Sequence, residues 1–198
     1  MDYTLIIIVI TAIVSFSAFN NDNLYYKLIL WPKRMHSGTE YYRLITSGFI
    51  HADYQHLFFN MFTLFFFGRL VERILLAVDK GILFPFIYLT GIIISSLPSF
   101  LKNRHNNNYL SLGASGGVST IVFIVIYYDP WRMINFIVPS IVFGVAYLVY
   151  SAWASKRNRD NVNHDAHFWG ALYGLAIAWA IDPYHGKTFI EQLMHPGF

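Results

Sequence analysis

Long apolar stretches separated by short polar connections run through almost the whole chain. A helix needs about 20 mostly apolar residues to cross about 30 Å of hydrocarbon. Six stretches approach that length, and most charged residues lie in the connections between them. The predicted spans cover residues 4–20, 54–76, 82–101, 115–128, 133–153 and 166–182. The pattern therefore predicts an all-α polytopic membrane protein, a bundle of six transmembrane helices forming one domain over residues 1–198.

The composition narrows the classes of protein to which this chain can belong. Hydrophobic residues make up 56% and charged residues 13% of the 198 positions, against about 45–50% and ~25% in soluble domains. These values argue against a soluble enzyme, a disordered chain and a nucleic-acid binder. The net charge is +3 without a basic run, which gives no reason to expect a polyanionic partner. Because the chain has no cysteine, it can form neither a disulfide nor a thiolate metal site.

The first span and its following connection help to define the topology. A signal-peptide core is the alternative for residues 4–20, but Met1-Asp2-Tyr3 lacks the basic residue that would precede one. The connection over residues 21–53 carries Trp- and Tyr-rich stretches typical of a membrane interface. Six spans place five Lys and Arg on the side of the termini and nine on the other side. Charge alone therefore predicts termini outside the cell.

Polar residues inside three even-numbered spans fall in one layer of the predicted membrane. Ser115 lies 14 residues before Asp129, about 21 Å along a helix and so about 9 Å below the opposite membrane face. Three other polar side chains lie about 22, 24 and 18 Å from the corresponding ends of their own spans. They are His167, His56 and Asn60. Polar groups at membrane depth are costly, so this layer is the candidate site.

The fourth span is too short to reach the opposite face. The preceding chain, over residues 102–114, must then enter the protein as an irregular loop. Such backbone is tolerated only where protein or a water-filled cavity surrounds it. This geometry predicts access of water to Ser115.

Glycines surround Ser115 in the segment Gly113-Ala114-Ser115-Gly116-Gly117. A serine at a helix N-terminus has unpaired N–H groups beside it, which suit an oxyanion formed when the hydroxyl attacks a carbonyl. A patch of small residues that packs between membrane helices explains the same sequence segment. Taken alone, the packing interpretation is the stronger one.

Two further patterns supply partners for such a serine. In the sixth span, His167, Gly170 and Gly174 share a helix face, along which another helix can pack closely. Histidine is the natural base for a serine hydroxyl, with a structural hydrogen bond as the alternative. In the second span, His56 and Asn60 face the same way and can donate to an oxyanion. The alternative role for His56 and Asn60 is a polar clamp between helices.

Other histidines and a nearby carboxylate fit less well. Asp165 lies two residues from His167, so the two side chains do not face each other on a helix, and we predict a Ser–His pair without an acid. His164 could join His167 on a metal, but neither H-E-x-x-H nor a cysteine is present. His51 and His56 are five residues apart, a poor spacing for one helix face. We therefore predict neither a metal nor a cofactor.

Taken together, these motifs resemble those of the rhomboid family of intramembrane serine proteases, in the short six-span form without a cytoplasmic domain. The resemblance covers about residues 40–182. Each motif is weak alone, whereas their order on spans two, four and six is specific. Supporting matches occur in the first loop and at the end of span two. They are Glu40-x-Tyr42-Arg43, where the family has Trp-Arg, and Gly68 with Glu72.

The resemblance implies a serine endopeptidase that cuts transmembrane protein substrates in or near the bilayer. Ser115 would be the nucleophile and His167 the general base, with an oxyanion hole formed by His56, Asn60 and the Ser115 N–H. The supporting positions would be Gly113, Gly116, Gly170 and Gly174. The family also implies a multi-pass protein of the cell inner membrane, with cytoplasmic termini and a site open to the periplasm. This orientation overrides the charge count.

One position departs from the family pattern. Members often carry a tyrosine four residues after the nucleophile, stacked on the catalytic histidine, but this chain has Ser119. Another aromatic residue is the candidate to support His167. Two functions from other classes stay open: a channel or transporter that uses the polar layer, and a haem-binding helical bundle that uses paired histidines.

Overall fold

Helices dominate the computed structural model, which describes residues 2–35, 38–134, 137–157 and 162–195. The described chain forms ten α-helices: α1 (Tyr3–Phe19), α2 (Asp22–Leu28), α3 (Pro32–Met35), α4 (Arg43–Thr46), α5 (Tyr54–Ala77), α6 (Phe84–Asn103), α7 (Ser115–Tyr128), α8 (Ser140–Arg157), α9 (His164–Ile181) and α10 (His185–Met194). Two 3₁₀ turns precede α5 and α6, at Ser47–Phe49 and Gly81–Leu83. The predicted all-α class is thus confirmed.

Helix α7 forms the centre of the fold. Its residues from Gly116 to Tyr127 are all buried, as expected for a helix that is apolar on every side. Helices α5, α6 and α9 pack around it. The serine at its first position is therefore held by the best-packed part of the protein.

Helix α1 is attached to α5 by a buried carboxylate. Glu72 accepts hydrogen bonds from the N–H groups of Tyr3 and Thr4 and from the Thr4 hydroxyl, at 2.7, 3.3 and 2.8 Å. Two of these donors are N–H groups in the first turn of α1, which have no acceptor within the helix. Negative charge is favourable at this end of a helix. A side chain at Gly68 would lie only 2.8 Å from Thr4. The motif at the end of span two therefore fixes α1.

The connection after α1 contains three short helices, and a buried arginine in α4 joins that helix to the end of α2. Arg43 is 1% exposed and donates to Glu40 and to the carbonyls of Tyr26 and Ile29, at 2.6, 2.8 and 2.8 Å. A buried guanidinium requires such partners for its N–H groups. Arg43 thereby closes the first loop into a compact unit beside the bundle.

The loop before α7 is irregular, and its end, over residues 111–114, enters the protein, whereas residues 104–108 are exposed. The entry predicted for residues 102–114 is thus confined to the end of that segment. This end is pinned to the first loop by backbone hydrogen bonds between Leu30 and Ser111, at 3.0 and 3.1 Å. Farther along, the Gly113 N–H donates to the carbonyl of Ser47 at 2.9 Å. Asn163, which caps α9, also donates to the Ser111 hydroxyl at 2.9 Å. These bonds hold the end of the loop between the first loop and α9, and the backbone bonds pair the N–H groups of Ser111 and Gly113.

The start of the fifth span is predicted wrongly. Helix α8 begins at Ser140 rather than at residue 133, and a small antiparallel hairpin precedes it, formed by β1 (Met133–Ile134) and β2 (Val138–Pro139). Residues 135 and 136 of the predicted span lie outside the described residues. The Ser140 hydroxyl bonds to the carbonyls of Asp129 and Pro130, at 2.8 and 2.9 Å. These contacts turn the chain here, which an apolar pattern does not reveal.

The other predicted spans agree with helices to within a few residues, and α7 agrees at both ends. Within the described chain, Gly81–Asn103 is the one helical stretch that is long and apolar enough to cross a membrane by length and composition. Helices α1 and α7 are apolar but shorter. Helix α5 is long enough but contains ionisable residues, among them Arg69, Glu72 and Arg73. The predicted number of six spans therefore stays a prediction.

Candidate active site

Ser115 occupies the first position of α7, where the entering loop turns sharply. Gly113 has φ +112°, a conformation that residues with a side chain rarely adopt. The following residue, Ala114, supplies no side-chain cap, so the N–H groups of the first turn stay available for other acceptors. Ser115 is half-buried. The loop thus presents a partly accessible hydroxyl beside unpaired helical N–H groups.

Helix α9 approaches α7 directly after Ser115. A side chain added at Gly170 would collide with the backbone carbonyl of Gly116, and one added at Gly174 would collide with that of Thr120. The Thr120 hydroxyl bonds to the carbonyls of Gly116 and Gly170, at 3.1 and 3.0 Å, and so joins the two helices. This backbone-to-backbone contact is what the small-residue face of α9 predicts.

His167 lies on the same part of α9, one turn before Gly170, and is half-buried. Its imidazole is stacked on the ring of Tyr147 from α8, with ring centres 5.8 Å apart and planes 22° apart. The Tyr147 hydroxyl is 2.5 Å from the Ser119 hydroxyl. Ser119 and Ser115 lie four residues apart and share a face of α7. The structure thus brings His167 and the Ser115 face of α7 to the same aromatic side chain.

His56 lies against Gly113 in the loop that precedes Ser115. Atoms Cε1 and Nε2 of its ring would lie 2.7 and 2.9 Å from a side chain added at Gly113, so glycine is required there for space as well as for φ. Asn60 is buried, and its amide donates to the His56 carbonyl at 3.0 Å. That bond occupies one of the two amide hydrogens. The assignment of His56 and Asn60 as oxyanion donors stays a prediction.

His51 is a positioning residue that the sequence pattern does not reveal. It is fully buried, its Nε2 accepts from the Ala114 N–H at 3.3 Å, and its Nδ1 lies 2.9 Å from the Ser15 hydroxyl. The acceptor role of Nε2 places the proton on Nδ1, and Ser15 passes its own hydrogen to the carbonyl of Phe49. The ring also contacts His56 edge-on, at 5.0 Å. His51 thus ties α1 to the loop before Ser115.

This role of His51 predicts a pH dependence of stability. Burial, followed by the neighbouring His56, lowers the pKa of His51 from 6.5 to about 3. Since the unfolded chain binds a proton near pH 6.5 and the native chain does not, stability is complete above that pH. It declines as the pH falls towards about 3, by about 1.4 kcal/mol per pH unit for this group. We expect His51→Gln to remove that part of the slope in thermal unfolding measured from pH 7 to pH 4.

Glutamine keeps an acceptor for Ala114 and a donor for Ser15, and it does not titrate. The other titratable groups are common to both proteins, so the difference between the two slopes isolates His51. Identical slopes for the wild type and His51→Gln would contradict this assignment.

Asp165 and His164 take other partners. The Asp165 carboxylate is engaged by the Ser155 hydroxyl, and it lies 3.5 Å from the Lys102 ammonium group. His164 is buried, and its ring lies edge-on to Tyr150 and His167, at 5.4 and 5.7 Å. Asp165 is thus bound to α8 and α6, and the Ser–His pair without this acid stays a prediction.

Known proteins match this chain over most of its length. The sequence model of the Rhomboid domain matches residues 38–183. The chain is 27% identical to Arabidopsis thaliana Rhomboid-like protein 11, chloroplastic, over 80% of its own length and 59% of the relative's. It is 29% identical to RHOMBOID-like protein 12, mitochondrial, from the same plant, over 69% of this chain and 45% of the relative's length.

A mouse protein, Rhomboid-related protein 2, is 24% identical over 77% of this chain and 52% of its own length. The chain thus spans about half the length of the curated relatives it matches. The match to the domain model extends from the first loop to the end of α9 and contains every residue of the candidate site. On this evidence, the chain belongs to the rhomboid family of membrane-embedded proteins.

Proposed function

We propose that this chain is an intramembrane serine endopeptidase that cuts other membrane proteins in or near their transmembrane segments. Rhomboid proteins are generally serine proteases, and some members are inactive. The observation that carries the proposal is the contact between Gly116 and Gly170. It holds α7 one residue after Ser115 against α9 one turn after His167. An inactive member has no need for a hydroxyl and an imidazole at this crossing.

The chemistry begins with the Ser115 hydroxyl. Its oxygen attacks the carbonyl carbon of a substrate peptide bond while His167 accepts the proton. The tetrahedral intermediate collapses, the C–N bond breaks, and His167 returns the proton to the leaving amine. A water molecule then attacks the Ser115 ester with His167 again as the base. This step releases the carboxylic acid and restores the serine.

The oxyanion of each tetrahedral intermediate needs donors in place before it forms. We assign this role to the Ser115 N–H, His56 and Asn60. The N–H lies in the first turn of α7, where the helix dipole adds positive potential. His56 lies against Gly113, so its ring is close to the backbone two residues before Ser115. Removal of one such donor costs roughly 10²–10³-fold in kcat in well-studied proteases.

The short central helix supports the membrane setting that we propose. We propose that α1 and α5 to α9 are the six spans, with the termini in the cytoplasm of a cell whose inner membrane holds the protein. A helix of 14 residues is about 21 Å long, so Ser115 lies about 9 Å below the far face. Water reaches it over the end of α7, on the periplasmic side. A substrate helix must unwind locally there before its carbonyl is accessible.

Labelling with a fluorophosphonate probe tests the proposal. We expect the probe to modify the wild type in detergent at Ser115, as located by mass spectrometry, and to leave Ser115→Ala unmodified. Ser17→Ala is the matched control, because Ser17 is exposed and bonds only to the Ile13 carbonyl of its own helix. Labelling that persists in Ser115→Ala would identify another nucleophile. Ion flux or a Soret band that is indifferent to Ser115→Ala would support a channel or a haem protein instead.

A further inference from the structure

We propose that Tyr147 of α8 is the positioning residue that holds the His167 ring in its working orientation, with Ser119 holding Tyr147. The inference rests on the proposed function of His167 as a base. It assigns the support of that base to a different helix from the one that carries the nucleophile. It also gives a role to a serine that occupies a family tyrosine position.

Two contacts on opposite ends of the tyrosine side chain carry the inference. Its ring is stacked on His167 at 5.8 Å and 22°, within the range of offset aromatic pairs. Its hydroxyl lies 2.5 Å from that of Ser119. The side chain is therefore fixed at α7 through its hydroxyl while its ring supports α9.

The environment of Tyr147 also restricts the motion of its ring. Phe143, one turn earlier on α8, is stacked against it at 5.9 Å and 25°, and Phe123 of α7 lies 6.0 Å away. A side chain at Gly144 would lie 2.8 Å from Ile126, so α8 is seated closely on α7. These contacts make the tyrosine a rigid platform rather than a loose lipid-facing residue.

A stacked platform suits a general base. It restricts rotation of the imidazole about its side-chain bonds, yet it covers only a ring face and leaves both nitrogens at the edge for hydrogen bonds. A misplacement of about 1 Å can cost 10²-fold in rate. Since the platform is on α8, the orientation of the base depends on how α8 is docked. Displacement of α8 by a substrate or lipid would therefore release His167.

Three substitutions separate the ring from the hydroxyl. We expect Tyr147→Leu, which removes the ring and keeps apolar volume, to lower kcat by about 10- to 100-fold with KM unchanged. Tyr147→Phe keeps the ring but loses the bond to Ser119, so we expect a smaller loss of kcat, by about threefold. Ser119→Ala removes the other partner of the same hydrogen bond, so its kcat should equal that of Tyr147→Phe. The double variant should be no slower than either single variant, because one interaction is lost in all three.

Tyr150→Leu is the matched control. It makes the same change on the same helix, and the Tyr150 ring lies against His164 rather than His167. We expect its kcat to equal that of the wild type. A wild-type kcat in Tyr147→Leu, or an equal loss in Tyr147→Leu and Tyr150→Leu, would overturn the proposal. A general weakening of α8 would produce the second result.

A readout that does not depend on activity separates this proposal from the proposed function. The ring protons of His167, assigned by comparison with His167→Gln, are shielded by the Tyr147 ring. We expect their NMR signals to move downfield in Tyr147→Leu and to stay in place in Tyr150→Leu. Unchanged signals in Tyr147→Leu overturn the platform. If the wild type is inactive but the His167 signals still move in Tyr147→Leu, the protease function is contradicted and the platform is supported.

Discussion

Replacement of Ser115 or His167 by alanine is expected to reduce cleavage of a transmembrane substrate to background, a loss on the order of 10⁴-fold or more. The nucleophile and its base act as one unit, so the double variant should be no less active than either single variant. Both residues are half-buried beside a preformed helix crossing, so each variant should still fold. The measurement is cleavage of a fluorescent single-span substrate in proteoliposomes.

Asp165→Asn provides the control that separates a pair from a triad. Where an aspartate orients the catalytic histidine, the same exchange costs about 10⁴-fold. Here Asp165 is engaged by Ser155 and lies near Lys102, so we expect Asp165→Asn to keep activity within about tenfold. A loss equal to that of His167→Ala would establish a third member. Retained cleavage in Ser115→Ala or His167→Ala would end the protease interpretation.

Gly170→Ala is expected to destabilise the protein and to slow the reaction. The added carbon would collide with the carbonyl of Gly116 in the first turn of α7, and the backbone of a packed helix cannot give way as a side-chain end can. Overpacking of this kind costs about 1–3 kcal/mol. The helices should also move apart at Ser115 and His167, with a loss of about 10²-fold in labelling rate. Thermal unfolding and fluorophosphonate labelling of the same sample measure the two effects.

Gly186→Ala is the matched exchange on α10. A side chain there would lie 3.3 to 3.5 Å from Trp179 and Tyr127, which is close to ordinary contact, so both readouts should stay near those of the wild type. If Gly170→Ala unfolds at the wild-type temperature and labels at the wild-type rate, the crossing does not position the pair. Gly170→Val should enlarge both losses, because its extra methyl groups have no space either.

The candidate site shows which parts of a structure a sequence can predict. Ser115, Gly113 and Gly116 stand together in the chain, so their geometry at the start of α7 follows from local rules for glycine and helix ends. The boundaries of α7 were predictable for similar reasons, since the glycine-flanked Ser115 begins a mostly apolar run and Asp129-Pro130 ends it. The start of α8 was not, because the bonds of Ser140 to Asp129 and Pro130 arise from a turn of the chain.

His51 and Tyr147 show the opposite case. The five-residue spacing of His51 from His56 argues against a shared role only within one helix, whereas the partners of His51 are Ser15 and Ala114. Tyr147 is one of 14 tyrosines in the chain, and nothing in its neighbours marks it. The departure at Ser119 did indicate that another aromatic was needed. It could not indicate which one, because the stack joins residues from two helices.

By itself, the sequence determined that this protein is helical and apolar, and which polar residue types fall within its apolar runs. Those properties depend on periodicity, composition and the length of each apolar run, all of which are local. Only the tertiary structure decided that α9 touches α7 at Gly170, that His51 holds the entering loop and that Tyr147 supports His167. Each of these contacts joins segments far apart in the chain. Their formation depends on how helices pack, which no single segment encodes.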